Sequence, residues 1–315
     1  MDVRVLLNYD ASAEDLARVR AVSEALVVTK AASRVEGQSR ASEAEVILAG
    51  HWSDELWKAA PRLRWVQSWG AGVEWMLTSD FAASPVILTN AQGIYATPIA
   101  EHVLAFLLHF ARGLDRNVRH QPEHRWQHAG VVELRGSTLG IIGLGGIGAE
   151  VARLAKGFEM RVIAIRRRPD RPSQFADEVR GPEALPWLLS ESDFVAVCAA
   201  LTPSTRELLG EAELRHMKPS AYLVNIGRGG LIAEEALIEA LRERRIAGAG
   251  LDVFAQEPLP PDSPFWDLPN VLLTPHSAGN SPRSHARLMA LFCENLRRYL
   301  AGEELLNVVD KAAGY

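Results

Sequence analysis

Cysteine is almost missing: Cys198 and Cys293 are the only two in a chain of 315 residues. They stand far apart, in no redox or metal-ligand spacing, which excludes a disulfide framework. So sparse a pair fits a reducing cytoplasm, where thiols serve as small apolar side chains. An excess of positive charge is missing as well. Lys and Arg total 34 against 39 Asp and Glu, a formal charge of −5, which argues against nucleic acid or an anionic membrane as the main partner. Long apolar runs are also lacking. The most apolar helix-like run, Val103 to Ala111, is about half the ~20 residues that span a bilayer, so no membrane segment is expected. There is no low-complexity tract and no repeat of fixed period. The N-terminal Val3-Arg4-Val5-Leu6-Leu7 reads as a first β-strand, not as a signal peptide.

What is present is an ordinary globular composition, 48% hydrophobic and 23% charged, at a length that suggests two domains. Short apolar runs alternate with helix-periodic segments, the pattern of an α/β chain with parallel sheets. In the first part, 3–7, 46–49 and 64–67 read as strands and 13–26 as a helix. The run 97–112 is helical but apolar nearly all round, which predicts burial on most sides. From Thr138 a more regular series begins, with strands over 139–142, 162–165, 194–198, 222–226, 249–253 and 271–274. Helices over 147–158 and 233–244 fill gaps in that series, and 283–300 forms an amphipathic helix at the end.

Between the first strand and first helix of that series stands Gly143-Leu144-Gly145-Gly146-Ile147-Gly148. G-x-G-x-x-G alone is a weak signal, but here it follows an apolar strand and opens an amphipathic helix, the context of a dinucleotide-binding turn. Gly143 permits the tight turn, Gly145 lets backbone approach a pyrophosphate, and Gly148 lets helix pack on strand. The helix N-terminus offers free N–H groups and partial positive charge to the phosphates. About 20 residues on, an NAD-specific domain places a carboxylate for the ribose 2′-OH. This chain has Arg166-Arg167-Arg168-Pro169 there and no carboxylate until Asp170. Guanidinium groups grip a 2′-phosphate, so NADP(H) is the expected cofactor, with NAD(H) possible; a solvated basic turn is the plainer alternative.

In open parallel sheets, ligands bind at the carboxyl ends of the strands. At those ends stand Gly227-Arg228-Gly229, then Asp252 with Glu257-Pro258, then Pro275-His276-Ser277-Ala278-Gly279. Reducing a 2-oxo acid needs a proton donor near the ketone oxygen, a cation for the carboxylate and a nearby hydride source. His276 suits the first role because imidazole titrates near neutrality, and Glu257 would orient it. The planar fork of Arg228 matches a carboxylate and can polarise the carbonyl. A structural histidine and an Arg–Glu surface pair are the competing readings.

Taken together, these four stretches resemble the D-isomer-specific 2-hydroxyacid dehydrogenases, in order and spacing and over essentially the whole chain. The resemblance implies that His276 is the general acid/base paired with Glu257, and that Arg228 binds and polarises substrate. It implies that Asp252 helps hold the nicotinamide end and that Ile226, Gly227 and Ala278 join the cofactor site. It implies two doubly wound domains: a Rossmann cofactor domain over 92–281, and a smaller flavodoxin-like substrate domain over 1–91 and 282–315, with the active-site cleft between them. Ser68-Trp69-Gly70-Ala71-Gly72-Val73 resembles the family's substrate loop, which makes Ala71 and Gly72 substrate contacts, and the stretch 70–77 is nearest the glyoxylate/hydroxypyruvate reductase branch. Trp69 is bulkier than that pattern leads one to expect. With Trp52, Trp57, Trp65 and Trp75 it forms either an aromatic wall around a small pocket or ordinary core packing; Trp52 is the one taken as a pocket residue, and Tyr95 could also face the site. Helix 97–112 and the basic segment after it resemble the family's dimerisation arm, so a homodimer is expected, with a helix buried inside one subunit as the rival. His120, His124 and His128 are spaced like a helix face, but Pro122 interrupts them and no metal is expected. Two alternatives stay open: a dinucleotide-sensing corepressor-like interaction protein, and a phosphite-type dehydrogenase of the same superfamily.

Overall fold

Strands buried on both faces read as unbroken apolar runs, and those runs become parallel sheets. The computed structural model describes residues 2–128 and 130–314. Contacts divide the chain into two units, Met1–Tyr95 with Ser281–Tyr315, and Ala96–Asn280. The crossings thus fall at 95/96 and 280/281, where the sequence reading put them at 91/92 and 281/282. Residues 92–95 stay with the first unit because Ile94 and Tyr95 pack with Ala91 and Leu288.

The first unit holds β1 (Val3–Asn8), β2 (Leu26–Lys30), β3 (Val46–Ala49), β4 (Trp65–Ser68) and β5 (Ile87–Thr89) in the order β2-β1-β3-β4-β5, all parallel. That is the flavodoxin-like order. The helix expected over 13–26 stops at Arg20, and Leu26–Lys30 is a strand instead. Alternation of buried Leu26 and Val28 with exposed Val27 and Thr29 marks it as a sheet edge. Ser12 caps the helix Ala13–Arg20 in a reciprocal box with Asp15. Helix Ser284–Ala301 returns to this unit and buries Met289, Phe292 and Leu296 against Val5, Leu7 and Trp65. The tail is laced in behind it: Val309 N–H donates to the Leu88 carbonyl at 2.8 Å and Asn90 N–H to the Asn307 carbonyl at 3.1 Å. Lys311 Nζ donates to the carbonyls of Phe81, Ser84 and Val86 at 3.1, 2.6 and 3.0 Å.

The second unit holds β6 (Thr138–Ile142), β7 (Arg161–Ile165), β8 (Glu178–Arg180), β9 (Phe194–Val197), β10 (Tyr222–Asn225), β11 (Gly248–Leu251) and β12 (Val271–Leu273). Their order is β12-β11-β10-β9-β6-β7-β8, all parallel, with the reversal between β6 and β9 that defines a doubly wound Rossmann sheet. Helix Ala96–Ala111 buries eight of its sixteen residues within this unit. It lies so close that a Cβ at Gly250 of β11 would stand 2.7 Å from the Phe106 ring. The apolar helix is therefore part of the core of the second unit, and exposed apolar side chains come after it: Leu114, Val118, Trp126, Val131 and Val132. Both cysteines are free, and burial pushes the Cys198 thiol up to about 12. Among the described residues, no helix is long and apolar enough to cross a membrane.

Candidate active site

The glycine-rich turn divides its labour as backbone sterics require. Gly143 leaves β6 at φ +98°, and a Cβ there would sit 2.7 Å from the backbone of Ala199. A Cβ on Gly148 would stand 2.3 Å from the Gly143 carbonyl oxygen, so that glycine seals helix against turn. Gly145 and Gly146 differ: a Cβ on either would meet nothing within 4 Å. They border open space at the start of helix Gly146–Gly157, whose N-cap Gly145 supplies no side-chain acceptor for the first amides. Uncapped N–H groups beside an open glycine cradle fit a pyrophosphate. Leu144 and Ile226 are buried and Ile147 packs beside them in one apolar cluster, which leaves their backbones for the ligand. The arginine run is not uniform. Arg166 turns its guanidinium to the Arg171 carbonyl, while Arg167 and Arg168 are exposed.

Strands β10, β11 and β12 lie side by side, so Arg228, Glu257 and His276 emerge at one end of the sheet. Gly229 is the contact that draws the loops together, since a Cβ there would overlap Phe254 at 1.9 Å. Arg228 is half-buried and extended; its Nη1 donates to the Gly227 carbonyl at 2.8 Å and its own carbonyl accepts from Asn225 Nδ2 at 3.0 Å. Phe254 N–H donates to Glu257 Oε1 at 3.0 Å, which fixes that carboxylate, and Glu257 Oε2 stands 2.6 Å from His276 Nδ1. With Nδ1 committed to the carboxylate, Nε2 is the nitrogen left to exchange a proton.

Asp252, which the resemblance assigns to the nicotinamide end, is built into the chain that surrounds it. It is 1% exposed, and its oxygens are taken by the chain itself. Oδ1 accepts from Thr274 Oγ1 at 2.6 Å and Ser277 N–H at 2.8 Å, and Oδ2 from Ala278 N–H at 3.0 Å. Its direct task is to hold the segment that carries His276.

In the first unit, the loop after β4 is fixed from behind. Asn90 Nδ2 donates to the Ala71 carbonyl at 2.9 Å, Trp75 Nε1 to the Gly72 carbonyl at 3.2 Å, and Ala91 N–H to the Gly70 carbonyl at 3.0 Å. The amides of Ala71 and Gly72 have no acceptor among the described residues, an arrangement suited to an anion. Trp69 is wedged between Tyr9 and His285, with ring centroids 4.7 and 5.5 Å away, and its carbonyl accepts from Tyr95 Oη at 2.8 Å. Trp52, expected to line a pocket, is a core residue instead. It is 9% exposed and its ring lies 4.9 Å from Phe81, because the chain past β3 folds down onto helix Ser79–Ala83. Trp57 also packs on Phe81, and Trp65 is fully buried with its Nε1 on Thr89 Oγ1 at 2.8 Å.

Residues 104–278 match the family model of the D-isomer specific 2-hydroxyacid dehydrogenase NAD binding domain. A glyoxylate reductase of Korarchaeum cryptofilum is 40% identical over 82% of this chain and 79% of its own. The chain belongs to the D-isomer-specific 2-hydroxyacid dehydrogenase family. A family structure from Aeromonas salmonicida superposes with a TM-score of 0.90 at 32% identity, covering 99% of this chain and 100% of that one. An NADPH-dependent glyoxylate/hydroxypyruvate reductase from Sinorhizobium meliloti, in complex with NADP and sulfate, gives 0.88 at 29% identity over the full length of both. The protein is thus an oxidoreductase that binds a nicotinamide dinucleotide, and the corepressor-like alternative is set aside.

For a member of this family, the sequence alone missed the supports more than the principals. Asn225 and Thr274 stand within or directly before the motifs they brace and Asn90 stands well past the loop it holds, but nothing in their spacing announces a partner. His102 stands with Thr97, Glu101 and His109 among the few polar residues of helix Ala96–Ala111. A hollow of about 580 Å³ lined by Arg135, Ser137, Asp193 and Tyr222 lies at the opposite ends of the strands and contains none of the predicted site residues.

Proposed function

We propose that this protein reduces a small 2-oxo acid, glyoxylate or hydroxypyruvate, to the D-2-hydroxy acid, with NADPH preferred over NADH. The observation that carries the reading is the 2.6 Å contact between His276 Nδ1 and Glu257 Oε2, at the strand ends of a dinucleotide-binding sheet. A bound nicotinamide dinucleotide supplies the hydride. His276 gives the proton from Nε2 to the substrate oxygen while Glu257 stabilises the imidazolium. Arg228 binds the acid and draws charge from its carbonyl, and the amides of Ala71 and Gly72 bind its carboxylate. Gly143, Leu144, Gly145, Gly146, Ile147 and Gly148 form the phosphate turn, with Ile226, Gly227 and Ala278 along the same strand ends. Asp252 serves the nicotinamide end through the segment it holds.

NADPH preference is supported by the exposed Arg167 and Arg168 and by the lack of a carboxylate before Asp170. Arg166 donates to the Arg171 carbonyl at the head of the same basic run. Substituting Arg167 and Arg168 together with Ala lowers kcat/KM for NADPH about tenfold or more, the worth of one charge-assisted contact, and leaves NADH nearly unchanged. The deciding assay follows absorbance at 340 nm with NADPH and NADH crossed against glyoxylate, hydroxypyruvate, pyruvate and bulkier 2-oxo acids. A tenfold advantage for NADH ends the cofactor proposal, and no turnover with any acid ends the substrate proposal.

A homodimer in the cytoplasm completes the proposal. Its support is the run of exposed apolar side chains after the buried helix, with Trp126 97% exposed. Light scattering at micromolar concentration that returns the monomer mass overturns it.

A further inference from the structure

His276 holds a backbone angle that a residue with a Cβ seldom adopts, φ +49°. Such an angle persists only where its surroundings over-determine it. Asp252 provides that constraint: its carbonyl accepts the His276 N–H at 2.8 Å, and its carboxylate accepts the next two amides. The direction of the imidazole therefore depends on where one buried carboxylate sits, which raises the question of what fixes the carboxylate.

Thr274 Oγ1 donates its single proton to Asp252 Oδ1 at 2.6 Å. That hydroxyl also lies 3.0 Å from His102 Nε2, and with its proton already given, the imidazole must be the donor. His102 Nε2 is 3.9 Å from Asp252 Oδ1, so its N–H edge faces the buried charge directly as well. The post on which it stands is firm. Helix Ala96–Ala111 is packed against β11 through Phe106, whose ring meets that of His102 edge-on at 4.8 Å. None of these contacts leaves the second unit.

We infer that His102 is a positioning residue for the proposed reaction: it holds Thr274, Thr274 holds Asp252, and Asp252 sets the backbone from which His276 presents its imidazole. The inference uses the reductase reading for its kinetic test but not for its structural one. His102→Ala lowers kcat about tenfold or more, a range that a small misplacement of a catalytic group reaches, while KM for the acid and Kd for NADPH stay within about twofold. His102→Gln, which keeps an N–H at similar reach, recovers most of the loss. Thr274→Val reproduces the loss, and the double variant is no worse than either single one, as expected for links of one chain. Hydrogen exchange supplies the second readout. Peptides over 274–280 lose protection in His102→Ala and keep it in His102→Gln.

Equal losses in the Ala and Gln variants, or an unchanged kcat in His102→Ala with unchanged exchange over 274–280, overturn the inference. If wild-type protein turns over no 2-oxo acid, the functional reading fails, and the exchange data still decide the role of His102.

Discussion

Among the described residues, two histidine–carboxylate pairs are in close contact at nearly the same distance. His276 Nδ1 meets Glu257 Oε2 at 2.6 Å, and His285 Nε2 meets Asp15 Oδ1 at 2.8 Å. The imidazoles are about equally exposed, 47% and 43%, so neither distance nor exposure of the ring tells them apart. Their surroundings do. His276 follows an outer strand of the sheet that carries the dinucleotide turn, on a segment whose backbone is held by a buried carboxylate. His285 opens a long helix, its ring lies against Trp69 and Tyr9, and its carboxylate is already the partner of a helix cap. A pair of this kind is chemistry only where a reacting atom can approach; elsewhere it joins two helices.

The sharpest way to break that contrast is to remove each imidazole. His276→Ala lowers kcat by about 10²–10⁴, the range of general acid–base catalysis, with little change in Tm. His285→Ala leaves kcat within about threefold, and steady-state kinetics on both variants checks the difference. Next in size is Glu257→Gln, which lowers kcat at least about tenfold by weakening control of the imidazole tautomer, yet less than loss of the imidazole itself. An equal loss in the two catalytic variants makes Glu257 more than an orienting group.

The other carboxylate answers to stability. Burial works to raise the Asp15 pKa, but hydrogen bonds from His285 and Ser12 prevail and hold it below its ordinary value near 3.8. A depressed carboxylate stabilises the fold above that ordinary value and loses this contribution as pH falls through its lower folded one. Asp15→Asn therefore lowers Tm by a few degrees at neutral pH, as loss of about 1 kcal/mol of capping does, and flattens the fall in Tm below about pH 4. Smallest is Lys311→Met, a control that disturbs the same unit without touching either histidine. It removes the donor from three carbonyls and costs about 1 kcal/mol, read as Tm with kcat unchanged.

The same contrast explains which parts of the molecule were legible in the sequence. Strands such as Val46–Ala49 are buried on both faces, and their unbroken apolar runs announce them. The edge strand Leu26–Lys30 was missed, with only Leu26 taken into a helix, because about half of its residues face water and dilute the signal. The glycine turn and His276 were legible because open-sheet topology dictates where they must stand. The tryptophans were not: Trp52 follows a strand just as a pocket residue would, and only the position of Phe81 makes it core. Two supports of the site were silent for a related reason. Thr274 and His102 lie far apart in sequence, and the hydrogen bonds that join them to Asp252 exist only after folding.

The first unit is assembled from both ends of the chain, and this bears on how the protein is made. A ribosome delivers β1 through β5 early, but helix Ser284–Ala301 and the pairing of Val308 with Thr89 arrive last. The second unit is continuous and can close while the nascent first sheet still lacks its cover over Trp65. The expected consequence is a late, all-at-once gain of protease resistance in the N-terminal third. A time course of limited proteolysis on stalled chains reads it directly, and resistance acquired before residue 284 emerges would show that the early strands stand alone.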